Sequence, residues 1–199
     1  MAADEQAYRV AHARLQALLP ADDPVRRARL DAFDCQHVPQ GPAAAVEQAR
    51  RGERGAVARA HVKVRLEYLL CETYALYNDG QRPAYLQPAI TILALTDAQR
   101  FPRLRAAALR MRAFGARDAG RYAQSLRTLQ GLRRLDAQRD GGWVALLTLI
   151  GIADAYLDMG LPDLSQQVVV EVQQRARHGG RNRVELAASP GTASVRAAS

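Results

Sequence analysis

Glycine recurs at forty-residue intervals, at Gly80, Gly120 and Gly160, each time inside a turn-like stretch: "NDGQRPAYLQPA", "DAGRYAQSLRTL" and "DMGLPDLSQQVV". The residues around each glycine keep the same character. Leu69, Leu109 and Leu149 stand eleven before it, Thr73, Ala113 and Ala153 seven before, Ala89, Leu129 and Val169 nine after, and Ile92, Leu132 and Val172 twelve after. Small residues at one position let a neighbouring helix approach, larger apolar residues at the others fill the layer between, and the glycine ends the first helix of each pair in a tight turn. A unit of two helices, repeated three times, is the architecture this pattern allows.

Helical periodicity supports it. Leu66, Leu69, Leu70, Thr73, Leu76 and Tyr77 step by three and four, as do Tyr122, Leu126, Leu129, Leu132 and Leu135, and no stretch shows the alternation of a strand. Proline and glycine punctuation predicts helices over 3–19, 23–36, 42–53, 56–78, 83–97, 100–119, 121–137, 141–159 and 162–177. Pro83 and Pro162 fall near helix starts, where proline is well tolerated. The fold class is all-α.

The segment "AFGARDAGRYAQSL" resembles the turn of a tetratricopeptide repeat (TPR), with Ala113 and Ser125 at the two small positions and Gly120 and Tyr122 in the turn. "IADAYLDMGLPDLSQQ" supplies Ala153, Tyr156, Gly160 and Ser165 in the same places, whereas the first unit departs from the pattern with the bulky Tyr85. The resemblance covers Leu66 to about Arg177. It implies antiparallel helix pairs stacked into a right-handed superhelix, an alpha-alpha solenoid. The family repeat is usually about 34 residues, so the extra residues here belong in connections such as "LTDAQRFP" and "LDAQRDGG". The expected organisation is N-terminal helices in 1–55, with Gly41 marking an eroded repeat, three repeats in 56–178, and a disordered tail from 179 to 199.

In that family the first helices of the repeats line a concave groove. The resemblance therefore implies partner-binding positions at Leu70, Tyr74 and Tyr77 in the first unit, Arg110, Phe114 and Arg117 in the second, and Asp154 and Leu157 in the third. Aromatic rings beside guanidinium groups suit an extended peptide or a protein partner that carries carboxylates. The alternative is that Tyr74 and Phe114 belong to the core between repeats and the arginines solvate the surface.

Little points to other chemistry. Phosphate-loop, zinc-helix and nucleophile-elbow motifs are absent, and Asp154 with Asp158, one turn apart, reads more simply as a solvated face than as an acid-base pair. No catalytic residue, cofactor or metal is expected. Cys35 and Cys71 are the only cysteines, read as free thiols, and Cys35-x-His37 lacks a second pair of metal ligands. The net charge of +8 invites an acidic partner, and Arg103, Arg110 and Arg117 at heptad spacing would make a phosphate-binding strip on one helix face. Lys63 is the only lysine, however, and so arginine-rich a balance is what a GC-rich genome writes into any protein; nucleic acid is the weaker reading.

The opening "MAADEQAYRV" has no basic start followed by an apolar core, and no run reaches the roughly 20 apolar residues of a membrane span, so a cytoplasmic, bacterial-type protein is expected. A non-catalytic protein-binding module is the leading expectation, with a homodimer compatible because repeat ends without polar caps must be buried. The helical repeats also look like the sensory region that precedes the catalytic domain of bacterial GGDEF diguanylate cyclases. On that alternative the chain is a signalling fragment lacking its GGDEF domain.

Overall fold

The computed structural model describes residues 10, 12–20, 22–35, 41–97, 100–137 and 142–178, and within them it holds ten helices and no strand. They are α1 (12–18), α2 (Pro24–Asp34), α3 (Pro42–Glu53), α4 (Ala56–Ala60), α5 (Val62–Asn78), α6 (Leu86–Leu95), α7 (Pro102–Asp118), α8 (Tyr122–Ala137), α9 (Gly142–Asp158) and α10 (Pro162–His178). Four of them, α2, α3, α7 and α10, begin on proline, whose fixed φ suits a first helical position and whose missing N–H would have no intrahelical partner there. Asp23 adds a side-chain cap to α2, accepting from the Arg26 N–H at 2.9 Å. The tail from 179 and the segments 36–40 and 138–141 lie outside the described residues.

The three glycines adopt one conformation. Their φ angles are 71°, 72° and 71° at Gly80, Gly120 and Gly160, in the left-handed region. In each turn the glycine N–H reaches the carbonyl three residues back, and the next residue reaches five back: Gln81 to Leu76 at 3.0 Å, Arg121 to Ala116 at 2.8 Å, Leu161 to Tyr156 at 3.0 Å. These paired bonds are those of a Schellman cap, which satisfies the last carbonyls of the first helix and reverses the chain. Gly41 differs. Its φ of 93° and ψ of −177° place it before α3 as an N-cap residue.

Two helix boundaries depart from expectation. The helix expected over 56–78 is interrupted at His61, whose backbone is extended at φ −126° and ψ 98°. In an unbroken helix Ala58 and Val64 would point about 120° apart. The break lets both enter one cluster with Ala32 and Tyr68, a tertiary gain that no proline or glycine announces. In the first glycine unit α6 starts at Leu86, six residues past Gly80, whereas α8 and α10 start two residues past theirs. Tyr85 is the cause we assign. It is fully buried where the other units place Ser125 and Ser165, and its ring meets Tyr77 edge-on with centroids 5.3 Å apart. Pro83 therefore lies in the turn and not at a helix start.

The chain divides into two compact units, Met1–Leu104 and Arg105–Ser199. In the first, α2, α3, α4 and α6 all pack against α5. Ala45, Val46 and Ala49 of α3 and Leu66, Leu69 and Leu76 of α5 are buried there. Cys35 and Cys71 are joined by a disulfide from the end of α2 to the middle of α5, with Cα atoms 6.2 Å apart, which corrects the expectation of two free thiols. In the second unit α9 packs on both α8 and α10. Its core joins Ala113, Leu129, Leu149, Ile152, Ala153, Val168 and Val172.

Cross-links in both units share a sequence separation slightly under the glycine period. Arg29 to Glu67, Arg110 to Thr148 and Arg133 to Glu171 are 38 apart, and Asp31 to Tyr68 and Arg117 to Asp154 are 37 apart. These contacts link α2 to α5 in the first unit, and α7 to α9 and α8 to α10 in the second.

Candidate functional site

The residues that the sequence singles out for binding are distributed between the two units. On α5, Leu70, Tyr74 and Tyr77 recur at four and three residues and share a helix face, each half-buried. Arg82 lies over the Tyr77 ring, its guanidinium carbon 5.4 Å from the centroid, and Tyr85 meets the same ring edge-on. A guanidinium over a tyrosine face is held by the ring quadrupole.

In the second unit the expected residues meet each other. The small Gly151 of α9 lies against the Phe114 ring of α7, so close that a Cβ built on it would stand 2.5 Å from Phe114 Cε1. Arg117 stacks above the same ring at 5.4 Å. Its Nη1 donates to Asp154 Oδ2 at 3.0 Å, and its Nε stands 3.4 Å from Asp158 Oδ2. Arg117 is 10% exposed and Asp154 17%, so this is an ion pair largely withdrawn from water. Burial pushes the Asp154 carboxyl above the usual carboxylate range; Arg117 pulls it back, and Asp158 adds a smaller upward push. Asp154 and Asp158 are therefore joined through one arginine, with Asp154 mostly shielded and Asp158 still exposed. Leu157, one turn beyond Asp154, is half-buried.

Arg110 is in the interior. Only 1% of it is exposed, and its Nε lies 3.4 Å from the Thr148 hydroxyl oxygen. The heptad stripe of Arg103, Arg110 and Arg117 consequently forms no phosphate-binding strip: Arg103 is exposed, Arg110 is enclosed and Arg117 is neutralised by Asp154. Phe114 packs against the core cluster of its unit, in accord with the alternative the sequence left open for it.

Two contacts had no counterpart in the sequence reading. Tyr68 donates to Asp31 at 2.6 Å, and burial, followed by the Asp31 carboxylate, raises its phenol well above the ordinary value, so it remains a proton donor. A shallow cleft of about 350 Å³ is lined by Gln16, Leu19, Arg27, Leu30, Asp31 and Asp34, with His12 paired to Asp34. The spacing of 37 between Asp31 and Tyr68 was available as a signal, but only once the offset between helices was known. Among the described residues no helix is long and apolar enough to cross a membrane.

No family model, curated protein or solved structure matches this chain.

Proposed function

We propose that this chain is a non-catalytic interaction module, a tetratricopeptide-like array whose hairpins continue one another as a right-handed superhelix and hold a peptide or protein partner on their first helices. The observation that carries the reading is the threefold repetition of one glycine cap, φ 71–72°, each preceded seven residues earlier by a buried small residue, Thr73, Ala113 or Ala153. A scaffold so regular presents preformed surfaces, and preformed surfaces bind without paying to order themselves.

On this reading the contact residues are Leu70, Tyr74 and Tyr77 on α5, and Leu157 with the outer edge of the Phe114, Arg117 and Asp154 cluster in the second unit. The rings supply burial, and Arg117, already held by Phe114 and Asp154, is preorganised to meet a partner carboxylate. Arg110 holds the α7–α9 contact in place from within.

The test is affinity capture with the full chain from its own cell lysate, beside a Tyr74→Ala, Leu157→Ala variant. A protein retained by the parent and lost from the variant, with helical circular dichroism unchanged, supports the module. Equal capture by both removes this surface assignment, and no specific capture by either removes the function.

A further inference from the structure

Helix α2 is weakly anchored by its own side chains. Of its eleven residues only Ala32 is buried, while Val25 and Ala28 are partly covered and Phe33 is 52% exposed. Its polar ties are the Arg29–Glu67 pair, whose arginine is 44% exposed, and the Asp31–Tyr68 hydrogen bond to α5, the Gln48 amide of α3 donating to Asp31, and the His12–Asp34 pair. Exposed ion pairs contribute little to stability. Against this light packing stands one strong tie, the Cys35–Cys71 bond, which leaves the C-cap of α2 and enters the middle of α5.

Both sulfur-bearing residues are fully buried. A reductant reaches them when α2 or α3 moves from α5, and α2 is the more lightly packed of the two, burying one side chain where α3 buries three. We propose that Cys35–Cys71 is a reversible redox staple: closed, it fixes α2 on α5; reduced, it releases α2 and uncovers the Ala58, Val64 and Tyr68 surface beneath. The chemistry is thiol-disulfide exchange. An external dithiol breaks the Cys35–Cys71 bond, donates two electrons and two protons to yield two protein thiols, and leaves as its own cyclic disulfide. Reclosure takes a disulfide oxidant such as glutathione disulfide, which departs as two glutathione thiols. With only two cysteines in the chain, no third thiol competes for either partner.

The test is hydrogen exchange read by mass spectrometry on the full chain, first treated with glutathione disulfide and then with dithiothreitol. Closing a loop with a sequence separation of 36 should strengthen protection by roughly 600-fold. Amides of α2 should therefore lose several hundred-fold in protection on reduction, roughly 600-fold at most, while α8 to α10 stay unchanged, and renewed glutathione disulfide should restore them. A Cys35→Ser, Cys71→Ser variant should match the reduced protein and ignore dithiothreitol. The proposal is overturned if peptide mapping finds no Cys35–Cys71 linkage after oxidation, if α2 keeps its protection on reduction, or if protection is lost across the chain rather than in α2 alone.

Discussion

Gly120 and Gly131 lie eleven residues apart, and a Cβ built on either meets no atom within 4 Å. Packing therefore predicts the same result for alanine at both. Backbone geometry predicts opposite results. Gly120 has φ 72°, where an L side chain costs roughly 1–2 kcal/mol. Alanine narrows the unfolded ensemble, offsetting roughly 0.4–1 kcal/mol of that, so Gly120→Ala should destabilise by about 1 kcal/mol. Gly131 lies inside α8, where alanine gains up to about 1 kcal/mol in helix propensity, so Gly131→Ala should stabilise. For a chain of this size, about 1 kcal/mol moves the thermal midpoint by roughly 2–4 °C. Differential scanning calorimetry should show the two variants displaced in opposite directions, with Gly120→Asn closer to the parent because asparagine tolerates the left-handed region better. A neutral or stabilising Gly120→Ala would refute the reasoning, since nothing else at that site can be blamed or credited.

Gly151→Ala should destabilise by about 1–3 kcal/mol in urea titrations, because its Cβ would press on the Phe114 ring, and adding Phe114→Leu should recover part of the loss. A double-mutant cycle over Arg117→Leu and Asp154→Asn should give a coupling of about 1–2 kcal/mol, above the value for an exposed pair, since both groups are mostly shielded. The Asp154 carboxyl also sets a pH dependence. Its folded value is raised, so the folded state binds the proton more readily, and its contribution is fully present below the unfolded value of 3.8 and lost as pH rises through the folded one. Stability of the parent relative to Asp154→Asn should therefore rise as pH falls from neutral towards 4; a flat difference would contradict the burial.

The helices were legible because their ends are marked by residues with local consequences. Gly80, Gly120 and Gly160 each close a helix where expected, and Pro24, Pro42, Pro102 and Pro162 each open one. The break at His61 was illegible because it serves a contact between Ala58, Val64, Ala32 and Tyr68 that exists only after folding. The late start of α6 had a visible sign in Tyr85, the bulky exception at a small position, although its effect on Pro83 could not be read locally.

Spacing placed the candidate residues on α5, α7 and α9 but did not say which of them face inward. Arg103, Arg110 and Arg117 share a heptad spacing and differ completely in environment, because burial depends on what α9 presents opposite each one: Thr148 for Arg110 and the Asp154 carboxylate for Arg117. The disulfide was hidden for the same reason. Thirty-six residues separate Cys35 from Cys71, and only the side-by-side arrangement of α2 and α5 brings them together.

The most direct test of the interaction reading is site-specific photo-crosslinking in the source cell, with a benzophenone amino acid at position 74 on α5 or at position 130 on the exposed side of α8. The expected result is a discrete protein adduct from position 74 and none from position 130. Adducts from position 130 alone, or from neither position, would contradict binding on the first helices.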